Sequence, residues 1–214
     1  MKSFFARFRR HLPLWVVLLV LVLDQASKFW IKLTMRIGDE INVFSWFKIH
    51  FLENEGMAFG FSFGGEGGKL LLSLIRLAAI GLLIWYIIKS NRKKRTNTAL
   101  IVSLSLILAG AIGNMIDSAF YGLIFSESYF HVAQLFPAEG YAPFLHGRVV
   151  DMLYFPLLHG FYPDWMPAVG GQEFLFFRPV FNIADSAITV GFVVFFISQR
   201  DFWFSSKKKQ PERV

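Results

Sequence analysis

The chain has 214 residues, 55% hydrophobic and 17% charged, with 26 Phe, 6 Trp and a mean hydropathy of +0.48. Soluble domains are about a quarter charged, so this composition points to an integral membrane protein. The net charge of +7 invites a nucleic-acid reading, while the absence of cysteine excludes disulfides, thiol catalysis, thiolate metal sites and lipid attachment to cysteine of this chain.

A basic start (Lys2, Arg7, Arg9, Arg10) leads into an apolar stretch over about 12–33, long enough to cross a bilayer as a helix. The pair has the look of a signal peptide. No small-residue cleavage site follows, and "DQASKFWIK" continues the helical register, so the stretch reads as a retained span. Asp24 and Lys28 stand four apart on one helical face, where they can pair. The connector 34–69 contains "INVFSWFKIHF", dense in β-branched and aromatic residues with a loose alternation, which predicts a small β element. "LENEGMAFGFSFGGEGG" follows as a glycine-rich region, with "GGEGG" at 64–68 read as a flexible turn.

Further apolar stretches lie at about 70–88, 98–119 and 179–199. Between the second and third runs "KSNRKKR" (89–95), and after residue 199 the chain carries Arg200, Lys207, Lys208, Lys209 and Arg213. With four spans these basic segments and the N-terminus fall on one side, and the connectors 34–69 and 120–178 fall on the other. The positive-inside rule then places both termini in the cytoplasm. Topology accounts for the positive charge, so a nucleic-acid partner is not expected, and the basic tail is free to meet anionic lipid heads. The expected fold is an all-α integral membrane protein, one membrane domain over 1–214. It has four transmembrane helices, a small β element and a long outer-side connector. No internal repeat marks a transporter built from duplicated halves.

Ionisable and amide residues near the outer helix ends carry the chemical information. "GAIGNMIDS" brings Asn114 and Asp117 to the end of the third span, after Gly110 and Gly113, which allow close helix packing. Asn114 suits an interhelical hydrogen bond as well as a ligand contact, and Asp117 suits a carboxylate that simply ends a helix. Asp151 in "HGRVVDMLYF" and Asp185 in "FNIADS" each stand in an apolar run; Asp151 has only Arg148 near it in sequence, and Asp185 has Asn182. Two such carboxylates brought together share one proton, leaving one acid and one base to activate a water against a peptide carbonyl. The alternative is two separate caps, with Asp185 in the first turn of its helix where the dipole favours it. The five histidines lack metal-ligand spacing, though His146 and His159 flank Asp151; no metal and no cofactor are expected.

Five motifs, "DQASKFW" (24–30), "ENEGMAFG" (53–60), "GAIGNMID" (110–117), "GRVVDMLYF" (147–155) and "FNIADSAITVG" (181–191), resemble in this order the signature blocks of lipoprotein signal peptidase, or signal peptidase II. The resemblance covers about residues 12–199. It implies a four-span aspartic endopeptidase of the bacterial inner membrane that cuts prolipoproteins before a diacylglyceryl-modified cysteine, with Asp151 and Asp185 as the catalytic pair. By the same resemblance Asn54, Asn114 and Asn182 line the substrate site, with Gly56 among the backbone that holds the peptide. Asp24 and Lys28 support the fold, as does Asp117. Expected partners are diacylglyceryl prolipoproteins, membrane lipid and a globomycin-type inhibitor, bound by a monomer. Two departures stand out. The family arginine after Asp117 is Ser118 here, with Arg148 the candidate to replace it, and the segments 118–147 and 152–178 are longer than usual. A small proton-coupled transporter using the same carboxylates, or a non-catalytic scaffold built on the long connector, are the competing readings.

Overall fold

A computed structural model of the chain describes residues 2–54, 65–92, 97–156, 158–176 and 179–200, with backbone alone at 2–8, 65–67, 158–159 and 173–176. The chain resolves into two compact units.

The helical unit comprises Met1–Leu23, Leu74–Met115 and Ala184–Val214. It draws on α1 (Lys2–Thr34), α2 (Gly65–Asn91), α3 (Thr98–Ile116) and α5 (Ile183–Ser198). Among the described residues, three helical stretches are long and apolar enough to cross a membrane: Arg9–Thr34, Gly68–Asn91 and Thr98–Ile124. Their apolar residues point outward as well as inward. Leu19, Val22, Leu82 and Trp85 are exposed, which suits a surface solvated by lipid. Ile87, Leu104 and Leu108 form the buried centre, with Val17, Ile80 and Phe195 packed against it. The approach of α3 to α5 depends on glycine. A Cβ at Gly110 would collide with the carbonyl oxygen of Ala184, and one at Gly191 would stand 2.8 Å from the carbonyl oxygen of Ser103.

The sheet unit comprises Asp24–Ser73 and Ile116–Ile183. Its four-stranded sheet runs in the order β1 (Glu40–Phe44), β2 (Phe47–Asn54), β3 (Val149–Tyr154), β6 (Val180–Phe181), with each neighbouring pair antiparallel. β2 pairs with β3 so that Leu52 lies opposite Asp151, Glu53 opposite Val150 and Asn54 opposite Val149. Phe47, Phe155 and Phe181 stack along the sheet, with ring centroids 4.8 Å and 5.7 Å apart. The core joins Ile31 and Met35 from the end of α1 to Phe51, Tyr121, Phe125, Val150 and Met152. The span that begins at Thr98 passes through a π-helical turn at Asp117–Tyr121 and ends in α4 (Gly122–Ile124). β4 (Leu158–Phe161) and β5 (Glu173–Phe176) form a separate hairpin.

Sequence and structure differ at three places. The β element extends beyond the first connector: β3 and β6 lie in the second connector and in the fourth apolar stretch, and Asp151 sits on a strand. The fourth stretch is divided, since Pro179 lacks an N–H, Val180 and Phe181 pair with β3, and the helix begins at Ile183. Its 16 residues rise about 24 Å at 1.5 Å each, short of the 18 or more of the other three. The supposed turn at 64–68 is helical from Gly65 onward.

Candidate active site

In the sheet unit, Asp151 stands at the centre of β3 with 3% of its surface exposed. Strand alternation carries its side chain to the face where two amides converge. The side-chain amide of Asn54 donates to Oδ2, and that of Asn182 donates to Oδ1 at 2.8 Å. Asn182 is fully buried, and the same amide also donates to the Val150 carbonyl at 3.2 Å, which locks its orientation. Each carboxylate oxygen of Asp151 therefore has an amide donor, and the plane of the carboxylate is fixed.

In the helical unit, Asp185 is half-buried in the first turn of α5. Asn114, buried near the end of α3, donates its amide to Asp185 Oδ1 at 2.8 Å. The bond is the interhelical one expected of Asn114, and its acceptor is a candidate catalytic carboxylate. The approach at Gly110, one helical turn earlier, lets α3 and α5 come close enough for this bond.

Asp117 is not a solvated helix end. It is fully buried, with Lys28 Nζ at 2.8 Å, and the same ammonium lies 2.9 Å from Asp24. Gln25 donates to Asp117 Oδ1 at 3.0 Å, and the Val150 N–H donates to Oδ2 at 3.2 Å. The triad Asp24–Lys28–Asp117 therefore ends on the backbone of β3, one residue from Asp151. Its charges are buried but mutually paired, as burial demands.

Arg148 belongs to a second network. Its Nη1 bonds Glu53 Oε2 at 3.1 Å and Glu127 Oε2 at 2.9 Å, while Nη2 bonds Glu127 Oε1 at 3.1 Å. Lys32 Nζ holds the other oxygen of Glu53 at 2.6 Å and the Ser128 hydroxyl at 2.7 Å. The Tyr141 ring lies between the two cations, 4.9 Å from the guanidinium carbon and 5.1 Å from the ammonium. The bidentate bond to Glu127 raises the pKa of Arg148, and burial pushes the Tyr141 hydroxyl up, helped by the nearby Glu53 charge. The guanidinium fork of Arg148, the candidate to replace an arginine at 118, faces Glu53 and Glu127.

Gly56 lies outside the described residues, as does the rest of 55–64. The Nδ1 atom of His146 is 2.9 Å from the Phe144 carbonyl oxygen. Sequence reasoning overlooked Gln25, Glu53, Glu127 and Tyr141. Glu127 and Glu53 bond Arg148 from 21 and 95 positions away, and Gln25 bonds Asp117 from 92 positions away, and no local spacing announces such partners.

The chain is similar to known proteins over most of its length. Residues 16–200 match the family model described as signal peptidase (SPase) II. A lipoprotein signal peptidase of Porphyromonas gingivalis is 51% identical over 183 residues, 85% of this chain and 80% of the relative. One from Amoebophilus asiaticus is 39% identical over 86% of this chain and 76% of its own. One from Pseudomonas putida is 34% identical over 96% and 94%. Two solved structures described as bacterial membrane enzymes share the fold. One has a TM-score of 0.62 at 23% identity over 94% of both chains; the other has 0.58 at 25% identity over 87% and 90%. The proton-coupled transporter reading finds no support in these relatives. With nearly the whole chain matched, this multi-pass membrane protein belongs to the signal peptidase II family of aspartic peptidases.

Proposed function

We propose that the protein removes the signal peptide from diacylglyceryl-modified prolipoproteins, cutting before the lipidated cysteine, with Asp151 and Asp185 as the catalytic pair. One observation carries the reading. The two aspartates of the family motifs are each oriented by motif asparagines, and Asn182, which holds Asp151, stands three residues before Asp185.

In this mechanism the two carboxylates share one proton. The ionised one takes a proton from a water, whose oxygen forms a bond to the scissile carbonyl carbon. The protonated one donates to the carbonyl oxygen, and the tetrahedral species then collapses. The C–N bond breaks as a proton passes to the leaving amine, and the pair returns to its starting state. Asn54, Asn114 and Asn182 hold the carboxylates in place throughout, and their remaining amide groups, with the backbone around Gly56, bind the peptide. Asp24, Lys28 and Asp117 fix β3 beneath the site. A preorganised site of low dielectric strengthens each of these contacts. No metal or organic cofactor takes part.

The proposal includes a monomer in the bacterial inner membrane with Ile183–Ser198 as its fourth span and both termini in the cytoplasm, as the basic segments favour. The substrate then reaches the site laterally within the bilayer, at the outer interface, and a globomycin-type inhibitor competes there. The test uses purified protein, a diacylglyceryl prolipoprotein and a gel shift for the released signal peptide. Asp151→Asn and Asp185→Asn are each expected to stop cleavage while the protein still inserts and folds. Cleavage at the normal rate by either variant overturns the catalytic pair.

A further inference from the structure

The segment after Ile124 is tied to the membrane-spanning helices along its length. Within the sheet unit, Phe136 N–H donates to the carbonyl of Ile124, the last residue of its span, at 2.8 Å. Ala142 N–H donates to Gly122 and Gly147 N–H to Ser118, at 3.1 and 2.8 Å. On the other side, the Ser128 carbonyl accepts from Ile37 N–H at 2.9 Å, three residues past the end of α1. The contact is close: a Cβ at Gly140 would collide with the carbonyl oxygen of Gly122, and one at Gly147 with that of Asp117. Residues 125–147 are thus held at the level where two spans end, and cannot rise far from it.

Most of their exposed side chains are apolar, with His131, Gln134 and Glu139 the polar exceptions. Phe130 is 90% exposed and Phe136 75%. Phe144 is exposed too, and its ring meets that of Phe120, a residue of the span itself, at 5.7 Å between centroids. Phe120 and Leu123 are exposed on the span, so lipid already covers the surface that Phe144 continues. The segment 125–147 holds no Lys or Arg, and the carboxylate of Glu127 is bound to Arg148. Phe136 and the residue after Phe144, Leu145, adopt left-handed backbone with φ of 52° and 67°, a conformation disfavoured for side chains of this size. A water-facing loop has no use for such a set of aromatics, whereas the interfacial zone of a bilayer solvates them.

We propose that residues 125–147 form a membrane-resting shelf, with Phe136 and Phe144 seated in the lipid leaflet at the end of the Thr98–Ile124 span and Phe130 at its rim. The shelf widens the lipid-facing border of the sheet unit beyond the helices. The proposal rests on membrane insertion alone and is independent of the peptidase mechanism.

The cysteine-free chain allows single nitroxide labels. Phe130→Cys, Phe136→Cys, Phe144→Cys and, as a water-facing control, Glu139→Cys are labelled in the full-length protein. The variants are placed in vesicles of phosphatidylethanolamine and phosphatidylglycerol, and power saturation compares collisions with oxygen and with a water-soluble nickel chelate. Positions 136 and 144 are expected to favour oxygen and position 139 the chelate, giving depth parameters of opposite sign. A chelate-favouring signal at both 136 and 144 overturns the shelf, as does shielding from both reagents, which would indicate a protein partner or a second copy. If Phe136→Cys does not fold, Phe144→Cys with Leu135→Cys carries the same comparison.

Discussion

Asn182 donates its side-chain amide to Asp151 across 31 residues of sequence, at 2.8 Å and from a fully buried position. The amide also holds the Val150 carbonyl, so one side chain ties β3 to the entry of α5. Asn182→Ala removes the donor from two buried acceptors, at about 1–3 kcal/mol for a group left unsatisfied. Asn182→Asp is expected to be worse for activity, because it sets a second carboxylate against Asp151. Thermal melts in micelles and the cleavage assay check both. Equal activity in the Ala and Asp variants would mean that the amide has no orienting role.

Gly110→Ala is expected to push α3 away from α5. The added methyl meets the Ala184 backbone, which has no flexible end to move aside, and overpacking of this kind costs about 1–3 kcal/mol. The separation lengthens the Asn114–Asp185 bond, so cleavage falls further than stability does. Gly81→Ala, where a Cβ meets nothing within 4 Å, is the control, and it is expected to leave both unchanged. A Gly110→Ala protein with full activity would separate helix packing from the site.

Three of the spans and the Asp24–Lys28 pair were legible in the sequence because both signals are local. Apolar length marks a helix, and the spacing of Asp24 to Lys28 marks a pair that the structure places at 2.9 Å. Other features were hidden for a physical reason. "VVDMLY" is apolar enough to pass for a membrane-facing segment, and only its pairing with β2 makes it a strand. "VF" before Asn182 looks like the start of a helix, yet the partner edge of β3 claims it. Asp117 seemed a free helix end because its partners Lys28 and Val150 N–H lie far away in the chain.

The Asp24–Lys28–Asp117 triad supplies a stability prediction. Lys28→Met leaves two carboxylates buried close together without their cation, and breaking a buried pair costs about 3–5 kcal/mol. Replacing all three groups with neutral residues of similar size is expected to recover most of that loss. If Lys28→Met melts like the parent, the triad contributes little. The triple variant should still cleave more slowly, because Val150 N–H loses the charged acceptor that fixes the strand beside Asp151.

Tyr141 yields a pH dependence. Burial raises its pKa above the ordinary value of about 10, so the folded state retains a proton that the unfolded state releases. The sign follows: this contribution is complete below pH of about 10 and is lost as pH rises above that value. Stability measured between neutral and strongly alkaline pH should therefore fall less steeply in Tyr141→Phe than in the parent. Parallel curves would show that the hydroxyl does not titrate differently on unfolding.

The clasp around Arg148 separates two roles for that residue. If it acts by holding Glu53, one position before Asn54, then Arg148→Gln and Glu127→Gln disturb the same element. Their effects on cleavage should be similar and non-additive in the double variant. Glu127 is partly exposed, so its loss is expected to cost about 1 kcal/mol or less of stability. Glu53, 1% exposed between Lys32 and Arg148, is expected to cost about 3–5 kcal/mol when changed to Gln, since two cations then lose their shared anion. Arg148→Lys preserves charge but not the fork and should fall between Arg148→Gln and the parent. A large activity loss in Arg148→Gln beside a fully active Glu127→Gln would instead place the guanidinium on the substrate, as an arginine at 118 would have been.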